Sequence, residues 1–197
     1  MIRPKHDVRY ELKYLLRHDQ VGPLVAELRQ KLTLDPHSGP LGMYPITSLY
    51  YDTPEYKAYW DKLDGHRSRR KVRVRVYGNS TVTPATPAFL EIKQRINKMM
   101  RKRRAILPYA QAVDFDAFDE LGMAVASAGK TAEAALLHET YYLYRTLQLR
   151  PACVVAYDRM AFEGDELALL LRREVLVPAE VHAEVLHDVY EVVVVEL

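Results

Sequence analysis

A chain of 197 residues can bury a sizeable core and is most simply one domain. Its single cysteine, Cys153, excludes an internal disulfide, and no apolar run approaches the roughly 20 residues that span a bilayer. The formal charge is only +2, yet residues 66–104 hold thirteen Lys or Arg against one acid, Glu91, leaving fifteen basic residues and twenty-five acids elsewhere, so the positive charge is placed to focus an anionic ligand.

Taken in order, the chain opens without a hydrophobic signal region, and a cytoplasmic location is expected. Residues 8–15 alternate, with Arg9, Glu11 and Lys13 on one face and Val8, Tyr10, Leu12 and Tyr14 on the other, as a strand requires. Asp19 can cap a helix whose apolar residues Val21, Leu24, Val25, Leu28 and Leu32 recur at helical spacing. Residues 35–45, rich in Pro and Gly, form a loop before a strand over 46–52. Thr53 and Pro54 then begin a short helix that stops near Gly65, with Tyr56, Tyr59, Trp60 and Leu63 expected in the core.

Next, Arg67, Arg69, Lys71, Arg73 and Arg75 fall on every second residue, with Val72, Val74 and Val76 between them, so their strand has one cationic and one apolar face. After the turn-rich residues 78–87, residues 89–95 alternate again and set Glu91, Lys93 and Arg95 against Leu90 and Ile92. The two runs read as neighbouring antiparallel strands. A row of like charges repels itself and persists only where water or a bound anion surrounds it. Solvated edge strands carry such rows, but two adjacent strands with apolar reverse faces, rich in Arg whose fork suits phosphate oxygens, favour a polyphosphate site. Residues 97–107 read as a turn leading into a further basic strand, and Arg101, Lys102, Arg103 and Arg104, which could instead be a localisation or nucleic-acid tract, are preferred as part of that site.

The period then becomes helical. Val113, Phe115, Phe118 and Leu121 suit one helix and residues 132–147 a longer one, linked by residues 122–129. Residues 151–159 read as a buried strand, and 192–195 as a final strand in a region of mixed period. His138, His182 and His187 offer no ligand set for a transition metal.

The ordered set Arg9-Tyr10-Glu11-Leu12-Lys13-Tyr14, Ser48-Leu49-Tyr50-Tyr51-Asp52-Thr53, Arg73-Val74-Arg75-Val76-Tyr77-Gly78, Phe89-Leu90-Glu91-Ile92-Lys93 and Ala156-Tyr157-Asp158-Arg159 resembles the VTC domain. That domain is the polyphosphate polymerase branch of the triphosphate tunnel metalloenzyme superfamily, and the resemblance runs over residues 8 to about 164. It implies an α+β fold, an antiparallel β-barrel or tunnel with flanking helices, whose charged faces line the inside, over one domain of residues 1–197. It implies that Arg73, Arg75, Lys93 and Arg159, with Lys13, contact the triphosphate or the polyphosphate. One residue of Lys102-Arg103-Arg104 joins them, Arg104 by preference. Glu11 and Glu91 share the faces of Lys13 and Lys93 and would hold a divalent metal, Mn2+ or Mg2+, or fix the lysines. In the family a glutamate of the last tunnel strand also binds the metal, which points to Glu196, with Glu191 the alternative.

The implied activity transfers the γ-phosphate of ATP to a growing polyphosphate chain and releases ADP, with cations neutralising charge in a site that needs no general base. Three features depart from the family. Arg9 replaces the first acid of the Glu-x-Glu-x-Lys found widely in the superfamily, which argues against a triphosphatase or adenylate cyclase. No Arg-x-Thr-x-Asp strand follows Arg159, and Val195-Glu196-Leu197 stands where the family has Glu-x-Lys, so the chain is atypical from about residue 166. The alternatives are a tunnel that holds polyphosphate, inositol polyphosphate or nucleotide without turnover, and a triphosphatase of the same superfamily. Nucleic acid is not an expected partner, since no recognition motif accompanies the charge. Any membrane-protein partner lies outside this chain.

Overall fold

The computed structural model describes residues 11–36, 38, 42–78, 81–97, 99–164, 167–177 and 190–196, with side chains for all of these except 11–13 and the last two segments. In chain order the elements are β1 (Glu11–Leu16), α1 (His18–Lys31), β2 (Thr33–Leu34), β3 (Tyr44–Asp52), α2 (Lys57–Leu63), β4 (Ser68–Tyr77), β5 (Pro87–Ile96) and β6 (Met99–Pro108). They continue with α3 (Tyr109–Val113), a 3-10 turn (Phe115–Ala117), α4 (Phe118–Ser127), α5 (Thr131–Leu147), β7 (Arg150–Glu163), β8 (Leu167–Val177) and β9 (Tyr190–Glu196). The chain divides into two compact units. One comprises Met1–Thr47, Tyr77–Asn79 and Val155–Leu197, and the other Ser48–Val76 and Ser80–Val154.

In the first unit the strand path runs β1-β9-β8-β7, with β2 pairing β7. β1 and β9 are antiparallel, Glu11 standing opposite Val195 and Lys13 opposite Val193. The final strand expected over 192–195 thus lies within β9. Leu28, Met160 and Phe162 form the core of this unit, with Leu24, Val25 and Leu34 packed on it. The expected cap of α1, Asp19, is instead its second residue. Arg17 precedes the helix in extended conformation, its N–H donating to Gln20 Oε1 (3.0 Å) and its guanidinium to Asp19 (3.1 Å). Gln20 thus supplies the reciprocal half of a capping box, accepting from the N–H of the residue before the helix.

In the second unit β4, β5 and β6 form an antiparallel meander, and β3 flanks β4. Val72, Val74, Leu90, Ile92, Ala105 and Leu107 face inward and pack against Phe115 and Phe118, and against Leu136, Leu137 and Leu143 of α5. Each of the Val, Leu, Ile and Phe side chains, fully buried, contributes about 1.5–3 kcal/mol, so this face holds the meander and the helices together. Gly122 lies inside α4, not in a linker. An added Cβ there would meet the His138 imidazole at 2.8 Å, so the small residue serves helix packing, not chain reversal.

The segment after β3 also differs from expectation. α2 begins at Lys57, three residues late, because Tyr56 takes a left-handed turn (φ 56°) first. The helix end is held chiefly by Asp52, whose buried carboxylate accepts from the N–H groups of Thr53 (2.8 Å), Ala58 (2.8 Å) and Tyr59 (3.0 Å). Thr53 Oγ1 adds one bond, to Lys57 N–H. Tyr56, Tyr59, Trp60 and Leu63 are about half exposed and outside the core. Helical spacing makes them a stripe, and no element among the described residues of the unit covers it.

Candidate functional site

The antiparallel register of β4, β5 and β6 turns the alternating cations into rows on one face. Lys71, Lys93 and Lys102 stand opposite one another across the three strands. The next row is Arg73, Glu91 and Arg104, and the third is Arg75, Phe89 and Ile106. Three lysines side by side are mutually repulsive, so the face is built to receive negative charge.

Glu91 is the centre of this face. Only 1% of its side chain is exposed, and both oxygens are taken. Arg73 donates to Oε2 from Nε (2.6 Å) and lies 2.5 Å from it through Nη2. Arg104 donates to Oε1 from Nε (2.9 Å), and Lys102 Nζ reaches the same oxygen at 2.7 Å. Burial alone would push the Glu91 carboxyl up, but Arg73, Lys102 and, further off, Arg75 outweigh it and hold the group at about 2. Burial pushes the ammonium groups of Lys71 and Lys102 down; neighbouring cations add to this, and Glu91 opposes it only at Lys102. An arriving anion would restore what these lysines lack.

The arginines are oriented by further contacts. Arg73 Nη1 donates to the Tyr50 hydroxyl at 2.8 Å, and its guanidinium lies 5.6 Å from that ring. Arg75, buried, donates from Nε to Ser48 Oγ at 2.9 Å. The Arg104 guanidinium sits 4.7 Å from the Phe89 ring. Held planes of this kind present a fixed fork to phosphate oxygens.

Of the residues expected at the site, the structure brings together Arg73, Arg75, Glu91, Lys93, Lys102 and Arg104. It does not bring Arg103, which falls on the reverse face and pairs with Glu139 of α5. Arg159 lies in β7 of the other unit, 5.6 Å from the Tyr44 ring, its Nε buried without a hydrogen-bond partner among the described residues. Burial pushes that tyrosine's hydroxyl up to about 12, against the pull of Arg159, and the hydroxyl donates to Asp35. Glu11 and Lys13 lie in β1, and Glu196 lies in β9 opposite Leu167; their side chains fall outside the described residues. Sequence reading missed Lys71 as a site residue, and Tyr50 and Ser48 as the groups that orient arginines. The alternation of β4 contained the first. The other two have no local signal, since their partners lie 23 and 27 residues away.

The carboxylate that could serve a divalent cation does not suit one as it stands. Both Glu91 oxygens are committed to cations that would repel a metal, and among the described residues no three Asp, Glu, His or Cys side chains gather.

A family model, the VTC domain, matches residues 8–169. Among solved structures the chain is similar to a candidate adenylate cyclase from Bacillus halodurans, at 12% identity and a TM-score of 0.55, over 96% of this chain and 80% of that one. It is also similar to the PH1819 protein from Pyrococcus horikoshii, at 12% identity and a TM-score of 0.51, over 96% and 78%. Identities so low show the fold alone, and it is the fold class expected from the sequence: α+β, an antiparallel sheet of the triphosphate-tunnel kind with flanking helices. No curated protein matches the chain. Among the described residues no helix is long and apolar enough to cross a membrane.

Proposed function

The chain belongs to the VTC domain family, and from that premise we propose that it is a polyphosphate polymerase, moving the γ-phosphoryl group of ATP to the end of a polyphosphate chain. The family lies within the triphosphate tunnel superfamily, whose members generally are enzymes acting on triphosphates. The observation that carries the finer reading is the row of Lys71, Lys93 and Lys102 beside the row of Arg73, Glu91 and Arg104. Such a face supplies charge in register along a line, which suits a linear phosphate chain.

In this reading Arg73, Arg75, Lys93 and Arg104 hold the oxygens of the triphosphate, and Lys71 and Lys102 extend the track. Glu91 keeps Arg73, Lys102 and Arg104 in place and prevents their mutual repulsion from splaying them. Phosphate contacts at Lys13 and Arg159 are proposed on the family resemblance alone. The bond from the γ-phosphorus to the ADP oxygen breaks as a terminal polyphosphate oxygen, already ionised, bonds to that phosphorus. No protein base is needed, and the cations stabilise charge on the transferring group. No step is assigned to a divalent metal, because Glu91 is committed elsewhere.

That same commitment of Glu91 favours a second reading, in which the face holds polyphosphate without turnover. Incubating the purified chain with ATP, Mn2+ and a short polyphosphate primer separates the two. Polymerisation gives ADP and long-chain polyphosphate in step, both abolished by Arg73→Ala. Tight ATP binding with neither product refutes polymerisation and leaves the holding function.

A further inference from the structure

The reverse face of the same strands carries a second group of cations. Arg70, Gln94 and Arg101 stand opposite one another across β4, β5 and β6, and Arg103 follows two residues along β6. Together with Glu139 and Tyr142 of α5 they line a cavity of about 240 Å³. One carboxylate thus serves three guanidinium groups, and the lining side chains carry a net charge of +2.

The distribution of bonds within the cavity is uneven. Arg103 takes both Glu139 oxygens in a bidentate pair, Nη2 to Oε1 at 2.8 Å. Arg70 Nε lies 3.6 Å from the same Oε1. The Gln94 amide oxygen, in the orientation that satisfies its neighbours, accepts from Arg70 Nη2 at 3.1 Å and Nε at 3.3 Å. Arg101 makes no ion pair among the described residues, and Arg103 Nε is buried without an acceptor among them. Docking α5 on the sheet requires only the Arg103–Glu139 pair. Arg70 and Arg101 stand beside that pair, so three guanidinium charges meet one carboxylate.

We propose that this cavity is a second anion site, distinct from the substrate face, that binds a compact phosphate compound through Arg70, Arg101 and the edge of Arg103. Glu139 does not oppose such a ligand, because Arg103 already neutralises it. α5 walls the cavity through Glu139, Tyr142 and the buried Leu143, which admits one or two phosphoryl groups and not a chain lying along the sheet. Tyr142, 64% exposed, adds a phenol donor at the rim. Lys102 and Arg104, which flank Arg103 in sequence, hold Glu91 on the opposite face. The cavity thus lies one residue along β6 from the Glu91 cluster. The site stands whether or not the chain polymerises phosphate.

The test is calorimetric titration of the full chain with pyrophosphate at low ionic strength. The wild type binds two equivalents. Arg70→Gln with Arg101→Gln, both on the surface, loses one equivalent, at least tenfold in affinity, and keeps the other. Lys93→Gln with Lys102→Gln does the reverse. Lys130→Gln with Arg145→Gln, both exposed, removes the same charge outside the cavity and leaves both equivalents. Circular dichroism checks that each variant is folded. One equivalent in the wild type, or an unchanged isotherm in the Arg70 and Arg101 variant, overturns the proposal. So does an equal loss in the Lys130 and Arg145 control.

Discussion

Replacing Glu91 with Gln keeps the shape of the side chain and removes the one negative charge among Arg73, Lys102 and Arg104. The wild-type carboxyl is held at about 2 against an ordinary 4.5, a difference worth about 3 kcal/mol at neutral pH. Because its folded value is depressed, that stability is fully present above about pH 4.5 and is lost as pH falls toward 2. The substitution also leaves three cations facing one another. Removing one partner of a buried pair costs about 3–5 kcal/mol, but Lys102 and Arg104 are 43% and 38% exposed, so water screens part of their repulsion. The expected loss is about 2–4 kcal/mol, a fall in Tm of about 5–15 °C for a chain of this length. Thermal melts of both proteins from pH 7 to pH 2 measure it. The gap should be widest at pH 7 and close as the wild type is protonated. Equal melting at pH 7, or a gap that stays constant into acid, would refute the counter-ion role. ATP binding gives a second readout: Gln at this position makes the face more cationic and tightens binding, whereas loss of a metal ligand would weaken it.

Asp52→Ala removes the acceptor of three N–H groups at the start of α2 and should cost about 1–2 kcal/mol in urea unfolding, with Asp52→Asn in between; an unchanged midpoint would contradict the capping account. Gly122→Ala improves helix propensity by about 1 kcal/mol but overpacks His138, which costs about 1–3 kcal/mol. A net loss is expected, relieved when His138→Ala is added; if the double variant is no better than the single, the contact is not the cause. Phe118→Ala, at a position with no exposure, should cost about 3–5 kcal/mol by chemical denaturation, and a loss under 1 kcal/mol would displace it from the core. ATP affinity should fall steeply as salt rises to about 1 M, where charges are screened beyond about 3 Å. Salt-independent affinity would mean that the cationic rows do not carry binding.

The alternation of Arg73, Val74 and Arg75, and of Leu90, Glu91 and Ile92, determined by itself that this protein has a cationic and an apolar face on neighbouring strands, since the pleat of a strand is local geometry. The order of short motifs from Arg9 to Arg159 likewise carried the family. Tertiary structure decided the rest. Four consecutive basic residues, Arg101 to Arg104, contain no alternation of polarity, so only the pairing of Glu91 with Arg104 and of Ile92 with Arg103 tells which two share the face of Glu91 and which two face α5. The lysine row and the carboxylate set between two arginines come from register, which joins residues far apart in the chain. Tyr56, Tyr59, Trp60 and Leu63 form a stripe at helical spacing, but whether another element covers a stripe is a property of the packed molecule, and here all four stay about half exposed. Periodicity is a property of one segment; a site needs the distance between segments, and only packing sets that.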